Sequence, residues 1–263
     1  MRLSRFLAAA SALLLTAALA LFGAGSAHAA GPVYVALGDS YSSGVGSGSY
    51  DSASGSCYRS TRAYPALWAA AHTPSGFSFT ACSGAKTTDV INSQLGPLSS
   101  ATTLVSISIG GNDAGFSDVM TTCVLYSDST CLSRINTARA YATNTLPGQL
   151  DAVYNAITAK APYAHVVVLG YPRFYKLGTT CIGLSETKRS AINSAADLLD
   201  DTTAKRAADH GFTFADVRSG FTGHELCSGS AWLHSLTYPT YESYHPTASG
   251  QSGGYFPVFA AVA

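Results

Sequence analysis

The sequence is poor in charged residues, and no acidic or basic block stands out along its 263 positions. Fifteen lysines and arginines balance fifteen aspartates and glutamates, and together these make up 11% of the chain. A chain with this balance has no net positive charge that would attract nucleic acid or an anionic membrane. We therefore expect no nucleic-acid partner and a neutral or amphiphilic substrate.

A long apolar run is absent beyond the N-terminus, where one occupies residues 6–21 behind a cationic start. This run is short for a membrane span and precedes Ala-His-Ala at 27–29, the small residues that a signal peptidase requires. We predict a signal peptide over residues 1–29 rather than a stable membrane anchor. The mature protein, residues 30–263, is then expected to be a single secreted, extracellular domain.

Metal and dinucleotide motifs are also missing. No Cys-x-x-Cys or His-x-x-x-His spacing indicates a zinc site. The glycine run at 44–49 lacks the last glycine of a dinucleotide-binding fingerprint, and we interpret residues 42–56 as a long surface loop.

Six cysteines follow the predicted cleavage point, and in a secreted chain disulfides are the expected state. Six cysteines allow fifteen connectivities. We favour sequential pairing, which closes three separate loops: Cys57 with Cys82, Cys123 with Cys131, and Cys181 with Cys227.

Short runs rich in β-branched residues alternate with helical patterns along the chain. The runs predict buried strands at 33–37, 77–81, 104–109, 165–169 and 212–215, and the patterns between them include helices at 64–71, 135–159 and 185–210. This alternation is typical of an α/β fold with a central parallel sheet covered on both faces. Pro147 predicts a kink or break in the middle helix, and Ser185 and Gly211 delimit the last one.

Polar turns follow the first three predicted strands. Gly38-Asp39-Ser40 follows the first, the segment containing Gly84 follows the second, and Gly110-Gly111-Asn112 follows the third. The carboxyl ends of parallel strands are where ligand sites form in open sheets. Ser40 could therefore act as a nucleophile while Gly84 N–H and the Asn112 amide stabilise an oxyanion. Each segment alone is equally a common turn, so the prediction depends on their occurring together.

His245 is the candidate general base, although five other histidines of the predicted mature chain compete with it. Glu242 precedes it by three residues, and a carboxylate on Nδ1 would leave Nε2 free to deprotonate Ser40. This nearby acid distinguishes His245 from the rivals.

Together, Gly38-Asp39-Ser40, Gly84, Gly110-Gly111-Asn112-Asp113 and His245 resemble the four sequence blocks of the SGNH, or GDSL, hydrolase family. Residues 38–44, 169–173 and 224–227 further resemble the secreted lipases and phospholipases of streptomycetes. The resemblance spans essentially the whole mature chain. It implies a three-layer, flavodoxin-like α/β/α fold, no metal or organic cofactor, and a broad site for varied acyl esters.

The same resemblance implies that Ser40 is the nucleophile, that His245 is the base, and that Ser40, Gly84 and Asn112 form the oxyanion hole. It also implies three disulfides in sequential pairing. The chain departs from the family where an aspartate usually precedes the histidine, because Glu242 stands there. In some relatives a backbone carbonyl orients the histidine, which makes Ser243 the alternative to Glu242. We prefer Glu242 at this stage because its charge would stabilise the imidazolium.

We predict a lipase or esterase that works through an acyl-enzyme and has a lipid or other acyl ester as its partner. Triglycerides and phospholipids both remain open as substrates. A carbohydrate acetyl esterase of the same fold is the alternative, and a non-catalytic secreted binding module is a more distant one. We expect a monomer.

Overall fold

Five strands form one parallel sheet in the computed structural model, which describes residues 31–263. The predicted signal peptide, residues 1–29, lies outside the described residues. The strand order is β2-β1-β3-β4-β5, with neighbours paired in parallel register throughout. The strands are β1 Val33–Gly38, β2 Gly76–Phe79, β3 Leu104–Ser108, β4 His165–Leu169 and β5 Thr213–Ala215.

Eight α-helical segments lie along the described chain. They are α1 Ser40–Ser43, α2 Tyr64–His72, α3 Thr87–Asp89, α4 Phe116–Leu125, α5 Asp128–Asn144, α6 Leu146–Lys160, α7 Glu186–Asp209 and α8 Phe256–Ala260. π-helical turns follow α3 at Val90–Gln94 and precede α8 at Gly250–Tyr255. The predicted α/β class with a central parallel sheet is confirmed.

Successive side chains of each strand point to opposite faces of the sheet, where they pack into two separate cores. In β1, Tyr34 and Ala36 join the first core, whereas Val35 and Leu37 join the second. Helices α2, α4, α5, α7 and α8 contribute to the first core, and α6 dominates the second. Helices therefore cover both faces of the sheet, and its carboxyl edge stays accessible for a site.

The predicted middle helix, 135–159, is two helices that meet at Thr145. Pro147 lies in the first turn of α6, where its missing N–H leaves no helical hydrogen bond unmade. Of the two outcomes predicted for Pro147, the structure has the break. α4 was not predicted from the sequence. Ser185 caps α7 through its Oγ, which accepts a hydrogen bond from Lys188 N at 3.2 Å.

Three disulfides brace the described chain, and they have the sequential pairing expected from the sequence. They join Cys57 to Cys82, Cys123 to Cys131, and Cys181 to Cys227. Residues Pro32–Ala263 form one compact unit. Across residues 31–263, none of the helices combines the length and apolar character that a membrane crossing requires.

Candidate active site

Ser40 begins helix α1 immediately beyond the carboxyl end of β1. Gly38 makes the bend possible, because its φ is +126° and an added Cβ would lie 2.6 Å from the Ser108 carbonyl oxygen. The carboxylate of Asp39 caps α1 by accepting a hydrogen bond from Tyr41 N at 3.0 Å. As the first helical residue, Ser40 has a backbone N–H that donates to no group among the described residues.

The carboxylate of Asp39 binds this turn to neighbouring segments of the chain. It accepts hydrogen bonds from Ser108 Oγ at 2.7 Å and from the Tyr171 hydroxyl at 2.5 Å. Burial raises the pKa of Asp39 to about 6, against the opposing effect of these hydrogen bonds. The nucleophile turn is therefore fixed to the end of β3 and to the segment after β4.

His245 lies in hydrogen-bond contact with Ser40. Its Nε2 is 2.8 Å from Ser40 Oγ, and its Nδ1 is 3.1 Å from the Ser243 carbonyl oxygen. Because a carbonyl can only accept, the proton belongs on Nδ1, which leaves Nε2 as an acceptor for the serine proton. Withdrawal of the ring from water lowers the pKa of His245 to about 4, so the ring is neutral at pH 7.

The carboxylate of Glu242 does not orient the imidazole as the sequence led us to expect. Its Oε1 instead accepts a hydrogen bond from the Tyr50 hydroxyl at 2.6 Å, and that hydroxyl accepts from Gly46 N at 2.9 Å. The physical reason is the backbone between the two residues. A 3₁₀ turn over Thr240–Glu242 ends at Ser243, and Tyr244 then adopts a left-handed conformation with φ of +66°. Nδ1 thus meets the Ser243 carbonyl, the alternative given by the sequence.

Tyr41 joins the nucleophile segment to the histidine segment, and sequence reasoning did not single it out. Its hydroxyl donates to the Tyr244 carbonyl at 2.7 Å, and its ring centroid lies 5.2 Å from that of His245. Adjacent residues, 40 with 245 and 41 with 244, therefore connect the same two segments. The only signal in the sequence is the position of Tyr41 directly after the candidate nucleophile.

His234 holds the backbone of residues 244–245 from the other side. Its backbone N–H donates to the His245 carbonyl at 2.9 Å, and Tyr244 N donates to the His234 carbonyl at the same distance. Nε2 of His234 lies 2.7 Å from the Gly46 carbonyl oxygen. The histidine segment is therefore held to the loop that follows the nucleophile.

Asn112 and Gly84 lie on two loops that contact each other. Asn112 Nδ2 donates one hydrogen bond to the Ala85 carbonyl at 3.0 Å, which leaves its second amide proton available. Gly84 has a φ of +78°, and its N–H donates to nothing within residues 31–263. Cys82 N donates to the Gly38 carbonyl at 2.9 Å, so the Gly84 loop is attached directly to the nucleophile turn.

Ser40 and Asn112 line one apolar pocket, and Gly84 lies outside its lining. Side chains from α4, α5 and α7 form its walls, including Phe116, Val119, Met120, Ala138, Ala142, Ile192, Ala196 and Leu199. Asp39, Tyr41, Arg139 and Tyr171 are its ionisable members. Apolar side chains therefore surround a cavity of about 70 Å³ beside Ser40 and Asn112.

The other histidines whose environment the structure describes have structural partners. His224 stacks on Trp232 with ring centroids 3.5 Å apart. The contacts of the remaining three are His72 stacked on Trp68, His165 against the Val262 carbonyl and His210 against Asp151. A Gly-x-Ser-x-Gly pattern at 250–254 is likewise no nucleophile turn, because its exposed Ser252 lies within the π-helical turn. Within residues 31–263, no cluster of histidine, cysteine, aspartate or glutamate could hold a metal ion.

Comparison with known proteins gives consistent matches. Residues 36–252 match the GDSL-like lipase/acylhydrolase family. The chain is 69% identical to Lipase 1 of Streptomyces coelicolor, with all of both chains covered. An extracellular lipase from Streptomyces rimosus has a crystal structure with a TM-score of 0.87 and 66% identity, covering 88% of this chain and all of that one. Phospholipase A1 from Streptomyces albidoflavus has a TM-score of 0.87 and 64% identity, covering 89% of this chain and all of that one.

Proposed function

The chain belongs to the GDSL-like lipase/acylhydrolase family, and we propose that it hydrolyses lipid esters through an acyl-enzyme on Ser40. It is a carboxylic ester hydrolase with the fold of the streptomycete lipases. The observation that supports Ser40 is its 2.8 Å contact with Nε2 of a histidine whose Nδ1 faces a carbonyl. This arrangement supplies a nucleophile and an oriented, neutral base in direct contact.

In the proposed first step, His245 Nε2 takes the Ser40 proton as Oγ attacks the ester carbonyl carbon. The carbonyl oxygen becomes an oxyanion that accepts hydrogen bonds from Ser40 N–H, Gly84 N–H and Asn112 Nδ2. Two of these donors are uncommitted backbone N–H groups, and the third is a half-used amide. His245 then protonates the leaving alcohol, and the acyl group remains on Ser40.

A water molecule completes the cycle. His245 removes its proton as the water oxygen attacks the acyl carbonyl, and the same donors stabilise the second oxyanion. Collapse returns the proton to Ser40 Oγ and releases the carboxylic acid. The Ser243 carbonyl orients the imidazole through Nδ1 in both halves of the reaction.

The apolar lining of the pocket supports esters with an apolar acyl group as substrates. The walls of the pocket come from three helices and contain few polar groups. The free-energy cost of moving a hydrocarbon group into it from other apolar surroundings is therefore small. The relatives named lipase and phospholipase A1 support glycerolipids, both triglycerides and phospholipids, as the substrate class. A carbohydrate acetyl esterase would instead require a small acyl site.

The nucleophile is tested with a fluorophosphonate probe and mass spectrometry of the labelled peptide. We expect labelling of Ser40 in the parent protein and in a Ser252→Ala control, and none in Ser40→Ala. Ser252 is the matched control because it lies in a Gly-x-Ser-x-Gly pattern but is exposed and outside the site. A folded protein that neither reacts with the probe nor hydrolyses p-nitrophenyl esters would contradict the proposal.

The substrate class is tested with p-nitrophenyl esters from acetate to palmitate, followed by phosphatidylcholine and trioctanoylglycerol. We expect kcat/KM to rise with acyl length beyond acetate, because each buried methylene contributes about 0.8 kcal/mol. Activity confined to acetate would favour the carbohydrate esterase.

We also propose that the mature protein is secreted after cleavage behind Ala29, and that it is a monomer. An extracellular relative from Streptomyces rimosus supports the location. N-terminal sequencing of the protein in culture medium is expected to begin at residue 30, and light scattering to give the mass of one chain.

A further inference from the structure

Large aliphatic side chains are exposed on the surface next to His245. Ile182 is fully exposed, and Leu125 and Leu236 are 67% and 61% exposed. Exposed apolar residues are ordinary when scattered, but a contiguous patch of them marks an interaction site.

Two adjoining grooves connect these side chains to each other and to the active site. The first groove is lined by Leu125 and Leu236 and ends at His245, and the second is lined by Ile182 and Leu236. Val124, Leu236 and Tyr244 line both grooves, which therefore adjoin each other. We call Val124, Leu125, Ile182 and Leu236 the apolar rim.

The linings of the two grooves are uncharged. No aspartate, glutamate, lysine or arginine lines either groove, and His245 is the one histidine among their lining residues. A protein partner or an anionic surface would commonly be steered by charges at the rim. A surface without them fits an uncharged, apolar environment instead.

The rim is held outward by covalent and polar bracing. The Cys123–Cys131 disulfide joins α4 to α5 immediately before Leu125, and the Cys181–Cys227 disulfide anchors the residue before Ile182. Lys188 Nζ donates to the Cys123 carbonyl at 2.9 Å and to the Tyr126 carbonyl at 2.6 Å, which fixes the turn after Leu125. Because the backbone is already fixed in this way, little backbone entropy is lost when the rim side chains bind.

We propose that the apolar rim inserts into the surface of a neutral or zwitterionic lipid aggregate and places the active-site mouth against its ester layer. The proposal rests on the proposed lipid-ester hydrolysis, because the substrate then lies at such a surface. Binding by buried apolar area without electrostatic attraction is expected to be insensitive to salt.

Flotation with phosphatidylcholine vesicles tests the rim in a Ser40→Ala background, where no hydrolysis occurs. We expect the parent to float with the vesicles equally at 0.1 and 0.5 M NaCl. We expect at least tenfold weaker binding by the triple variant, which carries Leu125→Ser, Ile182→Ser and Leu236→Ser. Ile182→Ser alone is expected to weaken binding severalfold. The matched control is Tyr163→Ser, because Tyr163 is 79% exposed but precedes β4 at the opposite edge of the sheet. It is expected to bind like the parent.

Ile182→Ser keeps the test informative if the triple variant does not fold, since a fully exposed side chain has no packing to lose. Equal binding by parent and Ile182→Ser, loss of binding in high salt, or a parent that does not float would each overturn the proposal. A concentration-dependent dimer that the rim substitutions dissociate would also overturn it, by assigning the rim to a second copy. Failure of the proposed function is distinct, because it appears as no hydrolysis of dissolved p-nitrophenyl butyrate by the Ser40 protein.

Discussion

Glu242→Gln separates the two ways in which His245 can be oriented. The substitution removes the negative charge of Glu242 but keeps the length of the side chain and an oxygen that can accept a hydrogen bond. In the structure, that oxygen accepts from Tyr50, while Nδ1 of His245 faces the Ser243 carbonyl. The change is therefore expected to leave the catalytic pair intact.

The magnitudes expected under the two arrangements differ by orders of magnitude. In serine proteases, replacing the carboxylate that fixes the histidine tautomer lowers kcat about 10⁴-fold. Glutamine at 242 still accepts from the Tyr50 hydroxyl, and a neutral acceptor is weaker than a charged one by about 1 kcal/mol. We expect kcat to change less than about threefold, with the melting temperature lower by about 2–4 °C.

The assay is kcat and KM for p-nitrophenyl butyrate at pH 8, with thermal unfolding followed by circular dichroism. Glu225→Gln is the matched control, because its carboxylate also accepts a local hydrogen bond, from Gly223 N at 2.9 Å, and lies outside the site. A loss of 100-fold or more in kcat for Glu242→Gln, with the fold retained and the control unaffected, would refute the assignment of the Ser243 carbonyl.

Four further predictions follow from the same contacts. The pKa of His245 is lowered from an ordinary 6.5 to about 4, so the base stays neutral as the pH falls from 7 to 5. We therefore expect kcat/KM to stay nearly constant over that range. A histidine with an unshifted pKa would be only about 3% neutral at pH 5. Asn112→Ala is expected to lower kcat about 10²–10³-fold with little change in KM, and an unaltered kcat would remove Asn112 from the oxyanion hole. Tyr41→Phe leaves the Tyr244 carbonyl without its donor. It is expected to lower the free energy of unfolding, measured in urea, by about 1–3 kcal/mol. Cys57→Ser with Cys82→Ser is expected to lower the unfolding free energy by about 3 kcal/mol and to reduce kcat by loosening the Gly84 loop; unchanged kcat would separate the disulfide from oxyanion stabilisation.

The strands and the turns that follow them were predictable because their sequence signals are local. β1 is a short apolar run that ends in a glycine, and the carboxyl ends of parallel strands necessarily meet at one edge. The positions of Ser40 and Asn112 near each other follow from that rule alone. The sequence could not decide between a kink and a break in the middle helix, because a proline at 147 fits equally in a kink or in the first turn of a new helix.

The partner of Nδ1 was not predictable from spacing. Glutamate three residues before a histidine can reach the ring in one backbone conformation and points away in another. The left-handed φ of Tyr244 and the 3₁₀ turn before it select the second, and Tyr50, nearly two hundred residues earlier, binds the carboxylate. The role of Tyr41 was not predictable either, because its partner is a backbone carbonyl and any residue at position 244 would supply one.

The contact between Ser40 and His245 joins residues 205 positions apart. Ser40 directly follows the first strand of the sheet, and that strand pairs on both sides with strands that come later in the chain. A nascent chain of 240 residues contains the serine and the oxyanion donors but not the base. Under the proposed mechanism, catalytic competence therefore requires the last part of the chain to be synthesised and folded against the first.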